Sequence, residues 1–214
     1  MKSMVAFQAG LLVSVFIFAL YRFLSEQGSV LAIYMALWSI FHLCEYYVTQ
    51  KYLPRTATEW LFLLFGARGA GNLFMVHIGS ILEYALTQKY WRYHGYVLVG
   101  VPLALSGIVV RALAIKHCGN SFSHYIESER PQKLVTSGIY AWCRHPSYLG
   151  FILYVMGMQV LFGNIFIYVM SMVILFRFFS ERIELEEIVL VNNLYGEAYE
   201  KYSEKVSALV PFLY

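Results

Sequence analysis

Residues 145–176 read HPSYLGFILYVMGMQVLFGNIFIYVMSMVILF, a run of 32 residues without Asp, Glu, Lys or Arg. At about 1.5 Å per residue, one helix of this length would far exceed the roughly 30 Å hydrocarbon layer of a bilayer. The dipeptide Gly163-Asn164 is a turn signal at the middle of the run. We therefore expect a tight helical hairpin over 148–179, made of two helices at 148–162 and 165–179.

The rest of the chain has the same apolar character. Apolar residues make up 59% of its 214 residues, charged residues 14%, and the mean hydropathy is +0.58, which is too apolar for a soluble domain. The sequence predicts an all-α, polytopic integral membrane protein, a single membrane domain over 1–214 with about six transmembrane helices. Besides the hairpin, the predicted helices are 4–23, 29–48, a membrane portion from about 71 to 86, and 95–115.

The distribution of Lys and Arg predicts the orientation, because cytosolic loops carry the excess of these residues. With six spans, ten basic residues lie on the side of the termini and three on the opposite side, so both termini are expected in the cytosol. The ten are Lys2, Lys51, Arg55, Lys116, Arg130, Lys133, Arg144, Arg182, Lys201 and Lys205; the three are Arg22, Lys89 and Arg92.

Composition also excludes several classes of function. The three cysteines, Cys44, Cys118 and Cys143, are odd in number and show no paired spacing, which argues against a secreted disulfide scaffold. The net charge of +3 comes without a basic run, so no nucleic-acid partner is expected. The six histidines follow no metal-ligand spacing, so no metal site is expected either.

Polar residues are concentrated in the segments 116–147 and 180–205, which flank the hairpin on both sides. Both segments are predicted to be cytosolic, so they should meet at the mouth of the hairpin and form a site there. The second segment reads as a helix that continues to Tyr195, is stopped by Gly196, and is followed by a shorter helix over 197–206.

Arg144-His145-Pro146 begins the hairpin at the membrane surface. Pro146 suits the first turn of a helix, and the free N–H groups behind it can meet an anionic ligand group. Arg182 and Glu186 are four residues apart and share one helical face beyond the other end of the hairpin. The alternatives are a positively flanked helix start and a solvated intrahelical ion pair.

Three arginines, Arg68, Arg111 and Arg177, fall inside or at the edge of apolar helices. An ionised side chain in such a helix is costly unless it faces a polar cavity or extends to the interface. The sequence leaves both alternatives open for Arg111 and Arg177.

Residues 134–150, LVTSGIYAWCRHPSYLG, closely resemble the isoprenylcysteine carboxyl methyltransferase family. The resemblance is strong over 117–212 and thin over 1–116, and the Arg-His-Pro element alone is shared with phospholipid methyltransferases and sterol-type membrane reductases. Further matching residues are Phe41-His42, Glu45-Tyr46, Gly119, Phe122, His124, Gly157, Asn164, Arg177-Phe178-Phe179, Arg182, Glu186-Glu187, Tyr195-Gly196-Glu197-Ala198-Tyr199 and Val210-Pro211-Phe212.

The resemblance implies methyl transfer from S-adenosylmethionine to the C-terminal α-carboxylate of farnesyl- or geranylgeranyl-cysteine in CaaX-processed proteins, at the endoplasmic reticulum membrane. It implies N-terminal transmembrane helices over 1–116 and a catalytic region over 117–214. Arg182, facing the substrate, and Glu186 would be catalytic. The cofactor would contact Glu127, Gln132, Lys133, Leu134, Val135, Tyr140, His145, Pro146, Ser147, Tyr148 and Glu186.

The predicted chemistry needs placement rather than a general base. A C-terminal carboxylate has a pKa of about 3.5 and is already the nucleophile at neutral pH. Arg182 can hold it by a charge-assisted contact, with the methyl group in line. A phospholipid N-methyltransferase would instead need a base near Arg182, an NADPH-dependent sterol reductase would need more cationic residues, and a non-catalytic membrane scaffold would leave Arg182 and Glu186 as a surface ion pair.

Overall fold

The computed structural model describes residues 2–25, 29–53, 70–88, 95–126 and 133–209. Within these ranges the chain is helical and contains no strand, which confirms the all-α prediction. The α-helices are α1 (Lys2–Ser25), α2 (Val30–Tyr52), α3 (Ala70–Thr87), α4 (Gly95–Cys118), α5 (Pro146–Phe162), α6 (Phe166–Val189) and α7 (Glu197–Ser203). Shorter elements are the 3-10 turns Gly119–Ser121 and Gly138–Ala141 and a π-helical segment, Leu190–Tyr195.

Among the described residues, three helices are long and apolar enough to cross a membrane, namely Ser3–Ser25, Val30–Tyr52 and Tyr96–Ser121. Two further apolar helices, Leu73–Thr87 and Pro146–Phe162, are shorter. These helices agree with the predicted membrane protein, and the count of six spans stays a prediction.

The predicted hairpin is formed by α5 and α6. Gly163 ends α5 with φ +68°, a left-handed conformation that glycine adopts without steric cost. The backbone N–H groups of Ile165, Phe166 and Ile167 donate to the Glu83 carboxylate of α3 at 2.7 to 2.9 Å. A carboxylate at this position satisfies the unpaired donors of the first helical turn, so α3 fixes where α6 begins.

Small residues allow α4 and α5 to pack with their backbones in contact. A Cβ atom on Gly107 would lie 2.3 Å from the Tyr154 nitrogen, and one on Gly157 would lie 2.3 Å from the Ala104 nitrogen. Such close approach through small residues is a common way for membrane helices to associate. The contact holds α5, whose first turn carries the predicted site, against α4.

Aromatic side chains of α2 pack into this helix pair. Tyr34 stacks on Phe162 and Phe41 stacks on Tyr154, each with ring centroids 4.0 Å apart. The core therefore lies among α2, α4 and α5, while α1 packs on the outer side of α2. Through this packing α2 brings Glu45 beside α4.

The C-terminal segment follows α6 without a break until Tyr195, as predicted. Gly196, at φ +54°, ends the π-helical segment. The following helix was predicted to reach residue 206, which is wrong, because α7 ends at Ser203. The chain turns there because the Arg144 guanidinium donates hydrogen bonds to the carbonyl oxygens of Ser203 and Val206.

Candidate active site

The two polar segments that flank the hairpin meet at Glu187. The Arg144 guanidinium lies 2.7 and 2.8 Å from Glu187 Oε1, through Nη2 and Nε, and His145 Nε2 lies 3.0 Å from the same oxygen. The Tyr199 hydroxyl also donates to this oxygen, at 3.2 Å. The predicted convergence of 116–147 and 180–205 is confirmed by these contacts.

The Tyr148 hydroxyl joins Arg182 to Glu186. It donates to Glu186 Oε2 and accepts from Arg182 Nε at 2.8 Å, while the Arg182 guanidinium carbon lies 5.7 Å from the centre of the Tyr148 ring. His145 Nδ1 lies 3.9 Å from Glu186 Oε2. Arg182 and Glu186 thus point back toward the Arg-His-Pro element, and neither is a freely solvated surface group.

Aromatic stacking fixes the position of the Tyr148 ring. Its centroid lies 5.5 Å from that of His145, with planes 3° apart, and 4.8 Å from that of Phe179, with planes 25° apart. The three rings come from both helices of the hairpin, so the hairpin geometry sets the location of the phenol oxygen.

Arg182 has a second anchor in the loop after α4. Its Nη2 donates to the backbone carbonyl of His124 at 2.6 Å. The guanidinium is therefore held from two directions, by a side chain of α5 and by the backbone of a loop.

Tyr140 lies between α4 and the C-terminal segment. Its hydroxyl donates to the Ala114 carbonyl at 3.3 Å, and its own carbonyl accepts from the Tyr202 hydroxyl at 2.6 Å. Burial raises the pKa of Tyr140 far above its ordinary value, so the phenol keeps its proton. The turn that carries Tyr140 is tied to α4 by His117, whose Nδ1 accepts from the Ile139 N–H at 3.1 Å.

The remaining predicted cofactor residues lie on either side of this turn or outside the described residues. Pro146 and Ser147 are buried at the start of α5. Lys133, Leu134 and Val135 form an irregular segment before the turn, and the Lys133 carbonyl accepts from Ser121 Oγ at 3.0 Å. Glu127 and Gln132 lie outside the described residues, as does Arg68.

The contacts of Glu187 do not follow from the sequence alone. Burial raises the pKa of its carboxyl, but hydrogen bonds and charge from His145 and Arg144 outweigh burial, so the pKa lies below its ordinary value. The neighbouring Glu186 had the same sequence signal, and a single sequence does not show which glutamate faces which cation.

The Arg111 side chain is buried and contacts polar groups, which agrees with the predicted alternative of a polar environment inside the protein. It is 7% exposed, and its Nε and Nη2 lie 2.6 and 2.7 Å from the two carboxylate oxygens of Glu45 in α2. A buried charge in a membrane helix needs such a partner, and Glu45, in the apolar helix α2, was the available signal. Arg177, in contrast, pairs with Glu181 at 3.2 Å on an exposed face.

Comparison with known proteins identifies the family. Residues 98–192 match the family model of isoprenylcysteine carboxyl methyltransferase (ICMT). The protein-S-isoprenylcysteine O-methyltransferase of Saccharomyces cerevisiae is 32% identical over 99% of this chain and 90% of the yeast protein. The chain belongs to the isoprenylcysteine carboxyl methyltransferase family. The protein of the same name from Schizosaccharomyces pombe is also 32% identical, over 84% of this chain and 83% of its own length.

The fold agrees with this family. A solved structure of the eukaryotic intramembrane Ras methyltransferase ICMT matches with a TM-score of 0.89 and 26% identity, over 98% of this chain and 77% of the other. The family resemblance inferred from 134–150 and its flanking motifs is thereby confirmed, as is the helical membrane fold. The roles of single residues in this ICMT-family chain stay predictions.

Proposed function

We propose that this protein transfers a methyl group from S-adenosylmethionine to the C-terminal α-carboxylate of a prenylated cysteine. The observation that carries the proposal is the meeting of Arg182 and Glu186 at the Tyr148 hydroxyl, beside His145. In the proposed site, Arg182 is the cation for the substrate and Glu186, one helical turn further, is the acceptor for the methyl donor. The names of the relatives, protein-S-isoprenylcysteine O-methyltransferase, support the same reaction.

The Arg182 guanidinium binds and orients the substrate carboxylate. This group is ionised at neutral pH and attacks without a general base, so the protein has only to place it. Two anchors, Tyr148 and the His124 carbonyl, restrict how the guanidinium turns. Fixed alignment of reacting groups contributes several kcal/mol to such reactions. An arginine also cannot act as the base that an amine substrate would need.

The residues at the start of α5 fit S-adenosylmethionine, which supplies an electrophilic methyl group when bound. Glu186 is half-buried and can accept from amino or hydroxyl groups. In the first turn of α5 the Ser147 N–H suits a carboxylate, because the N–H groups of Tyr148 and Leu149 already donate to the His145 carbonyl. His145, Pro146, Ser147 and the rings of Tyr140 and Tyr148 would line the cofactor, together with Lys133, Leu134 and Val135. Glu127 and Gln132 complete the proposed set by resemblance alone.

The lipid of the substrate explains why the site lies at a membrane surface. A farnesyl or geranylgeranyl chain partitions into the bilayer with about 0.8 kcal/mol per buried CH₂, so the cysteine carboxylate is delivered at the interface. The excess of Lys and Arg on the side of the termini supports a cytosolic active site. We place the protein in the endoplasmic reticulum membrane, with both termini in the cytosol.

The reaction is tested with membranes that contain the chain and methyl-labelled S-adenosylmethionine. The acceptors are N-acetyl-farnesylcysteine, N-acetyl-geranylgeranylcysteine and phosphatidylethanolamine. Base-labile, volatile label from either prenylcysteine is the expected result. Label in the phospholipid instead would reject the proposal in favour of a phospholipid N-methyltransferase.

Substitution of Arg182 should impair turnover, whereas substitution of Glu186 should impair cofactor binding. Arg182→Ala removes the contact to the substrate carboxylate, so turnover should fall by at least about 100-fold while S-adenosylhomocysteine still binds. Glu186→Ala should weaken S-adenosylhomocysteine binding by about 10-fold or more, because a charged hydrogen-bond acceptor is lost. Binding is measured by calorimetry and turnover by the labelling assay.

Exposed charges nearby provide the controls for these two variants. Glu181 lies on the same helix with its side chain 66% exposed, and Lys201 lies on α7 with its side chain 67% exposed. Glu181→Ala and Lys201→Ala should keep wild-type turnover and binding. Full activity in both Arg182→Ala and Glu186→Ala would discard the site assignment.

A further inference from the structure

A buried ion pair lies one layer behind the proposed active site. Glu45 of α2 and Arg111 of α4 are 3% and 7% exposed and make a two-point contact at 2.6 and 2.7 Å. Two ionised groups in the apolar interior lose hydration, and a well-packed apolar pair often stabilises a fold equally well. Packing alone therefore does not account for this pair.

One branch of contacts runs from Glu45 to Arg182. Glu45 Oε1, which binds Arg111, also lies 2.8 Å from His124 Nε2. The backbone carbonyl of His124 then accepts from Arg182 Nη2 at 2.6 Å. Residues 122–126 form no helix, so the contact of the His124 side chain with Glu45 helps to hold the backbone that carries this carbonyl oxygen.

A second branch runs from Arg111 to the other anchor of Arg182. Arg111 Nη1 donates to Ser147 Oγ at 2.9 Å and to the Ser147 carbonyl at 3.2 Å. Ser147 precedes Tyr148, whose hydroxyl accepts from Arg182 Nε. Both partners of the Arg182 guanidinium are thus held from the same buried pair.

We propose that Glu45 and Arg111 are positioning residues for the methyl transfer. Through His124 and Ser147 they fix the two groups that orient Arg182, so that its guanidinium presents the substrate carboxylate in one direction. The inference rests on the proposed role of Arg182 and adds to it a set of residues that touch neither substrate nor cofactor. His124 belongs to this set by way of its side chain.

The test uses Glu45→Gln, which keeps the side-chain volume, and His124→Ala, which leaves the Glu45–Arg111 pair intact. Each should lower kcat/KM for N-acetyl-farnesylcysteine roughly 10- to 100-fold, as misplacement of a reacting group does. For His124→Ala the dissociation constant of S-adenosylhomocysteine should stay within about twofold of wild type, because this variant leaves the contacts of Arg111 with Ser147 in place and Arg182 does not hold the cofactor. Rates are normalised to folded protein.

A structural control shows whether the decrease in kcat/KM is specific to the Glu45–Arg111 pair and His124. Glu83→Gln makes the same substitution at a carboxylate that caps α6 by three backbone contacts. It should lower the melting temperature and leave kcat/KM for the prenylcysteine unchanged. If Glu45→Gln does not fold, His124→Ala decides the outcome.

A double-mutant cycle with Arg182→Lys identifies the route. If Glu45 acts through Arg182, Glu45→Gln should lower kcat/KM by a much smaller factor in the Arg182→Lys background than in the wild-type background. The inference is overturned if either folded variant keeps wild-type kcat/KM, or if Glu45→Gln loses the same factor in both backgrounds. An inactive wild type would instead reject the proposed function, so the two failures are distinct.

Discussion

At the scale of single residues, Tyr148 has an unusual combination of partners. Its phenol donates to the Glu186 carboxylate and accepts from the Arg182 guanidinium. A hydroxyl group can do both, whereas phenylalanine can do neither. The phenol thus couples the residue proposed for the methyl donor to the residue proposed for the substrate.

Tyr148→Phe should therefore damage activity without damaging the fold. The ring keeps its stacking on His145 and Phe179, but both charged neighbours lose a hydrogen bond. Hydrogen bonds to charged groups contribute about 1.5 to 3 kcal/mol each, so we expect kcat/KM for the prenylcysteine to fall at least 10-fold. Steady-state kinetics with normalised protein measure the effect.

Tyr154 of the same helix offers the matched control. Its hydroxyl is buried in the described core without a hydrogen-bond partner. Tyr154→Phe should leave activity unchanged and the melting temperature equal or higher. An equal decrease in kcat/KM in Tyr148→Phe and Tyr154→Phe would show that the Tyr148 hydroxyl has no special part in the reaction.

Which single residues meet was only partly predictable. His145, Tyr148, Arg182 and Glu186 carry motif signals, and the structure brings them together. The Glu45–Arg111 pair was missed because its members are 66 residues apart. Charge in an apolar helix indicates that a partner exists, but one sequence does not name it.

At the scale of elements, the close contact of α4 with α5 depends on glycine. A Cβ atom on Gly107 would lie 2.3 Å from the Tyr154 nitrogen, which is backbone and cannot swing aside. Gly107→Ala should lower the free energy of unfolding by about 1 to 3 kcal/mol, as overpacking of a core does. It should also lower activity, because it shifts α5, whose first turn carries the proposed site. Thermal melting in detergent measures this.

Gly10 of α1 is the control for that substitution. A Cβ atom there meets nothing within 4 Å, and alanine is the better helix former by about 1 kcal/mol in water. Gly10→Ala should keep or slightly raise the melting temperature. A similar drop in both variants would mean that helix contact is not the cause.

The docking of the C-terminal segment can be followed through Cys143. This cysteine is 4% exposed, and its thiol donates to the Ala208 carbonyl at 3.3 Å. Burial raises its pKa to about 11, against smaller opposing effects of a backbone hydrogen bond from His145 and of Arg144. Since the thiolate is the reactive form, maleimide should label Cys143 slowly at pH 7.5.

Loosening the segment should expose this thiol. In a background with Cys44 and Cys118 replaced by alanine, Tyr202→Phe removes the hydrogen bond to the Tyr140 carbonyl. Labelling of Cys143 should become several-fold faster, as followed by mass spectrometry. Labelling of the parent at the rate of a free exposed thiol would contradict the docked arrangement.

Helix existence was easier to predict than helix ends. The hairpin followed from an uncharged run with a Gly-Asn turn inside it, and the structure begins α5 at Pro146, two residues before the predicted start. The early end of α7 depends on carbonyl groups captured by Arg144, about 60 residues away in the sequence. Local pattern does not contain that information.

At the scale of the whole molecule, a charged cluster joins the start of α5, the end of α6 and α7. Glu187 binds Arg144, His145 and Tyr199 at one carboxylate, so its ionisation matters for the docking of α7. Its pKa is lowered in the folded protein, so the stabilisation is complete above the unfolded value of about 4.3 and is lost as the pH falls through the lower folded value.

Acidification should therefore reduce the difference in melting temperature between the wild type and Glu187→Gln. At pH 5 the wild type should melt at the higher temperature, and the gap should shrink as the pH falls below about 4.3. Tryptophan fluorescence during thermal melting measures both proteins from pH 7 to 3.5. Glu181→Gln, at an exposed position, should differ little from wild type in melting temperature at every pH. A melting-temperature difference for Glu187→Gln that does not change with pH would contradict the assigned ionisation.

The contacts of Ser203, Ser207 and Ala208 with Arg144 and His145 also order events during biosynthesis. Residues 203–208 leave the ribosome after α1 to α6 have been made, and chains fold in that order as they emerge. A nascent chain can therefore insert its membrane helices before residues 203–208 have been synthesised. The hydrogen bonds that Arg144 and His145 donate to Ser203, Ser207 and Ala208 therefore form only after the helices from α1 to α6 have been synthesised.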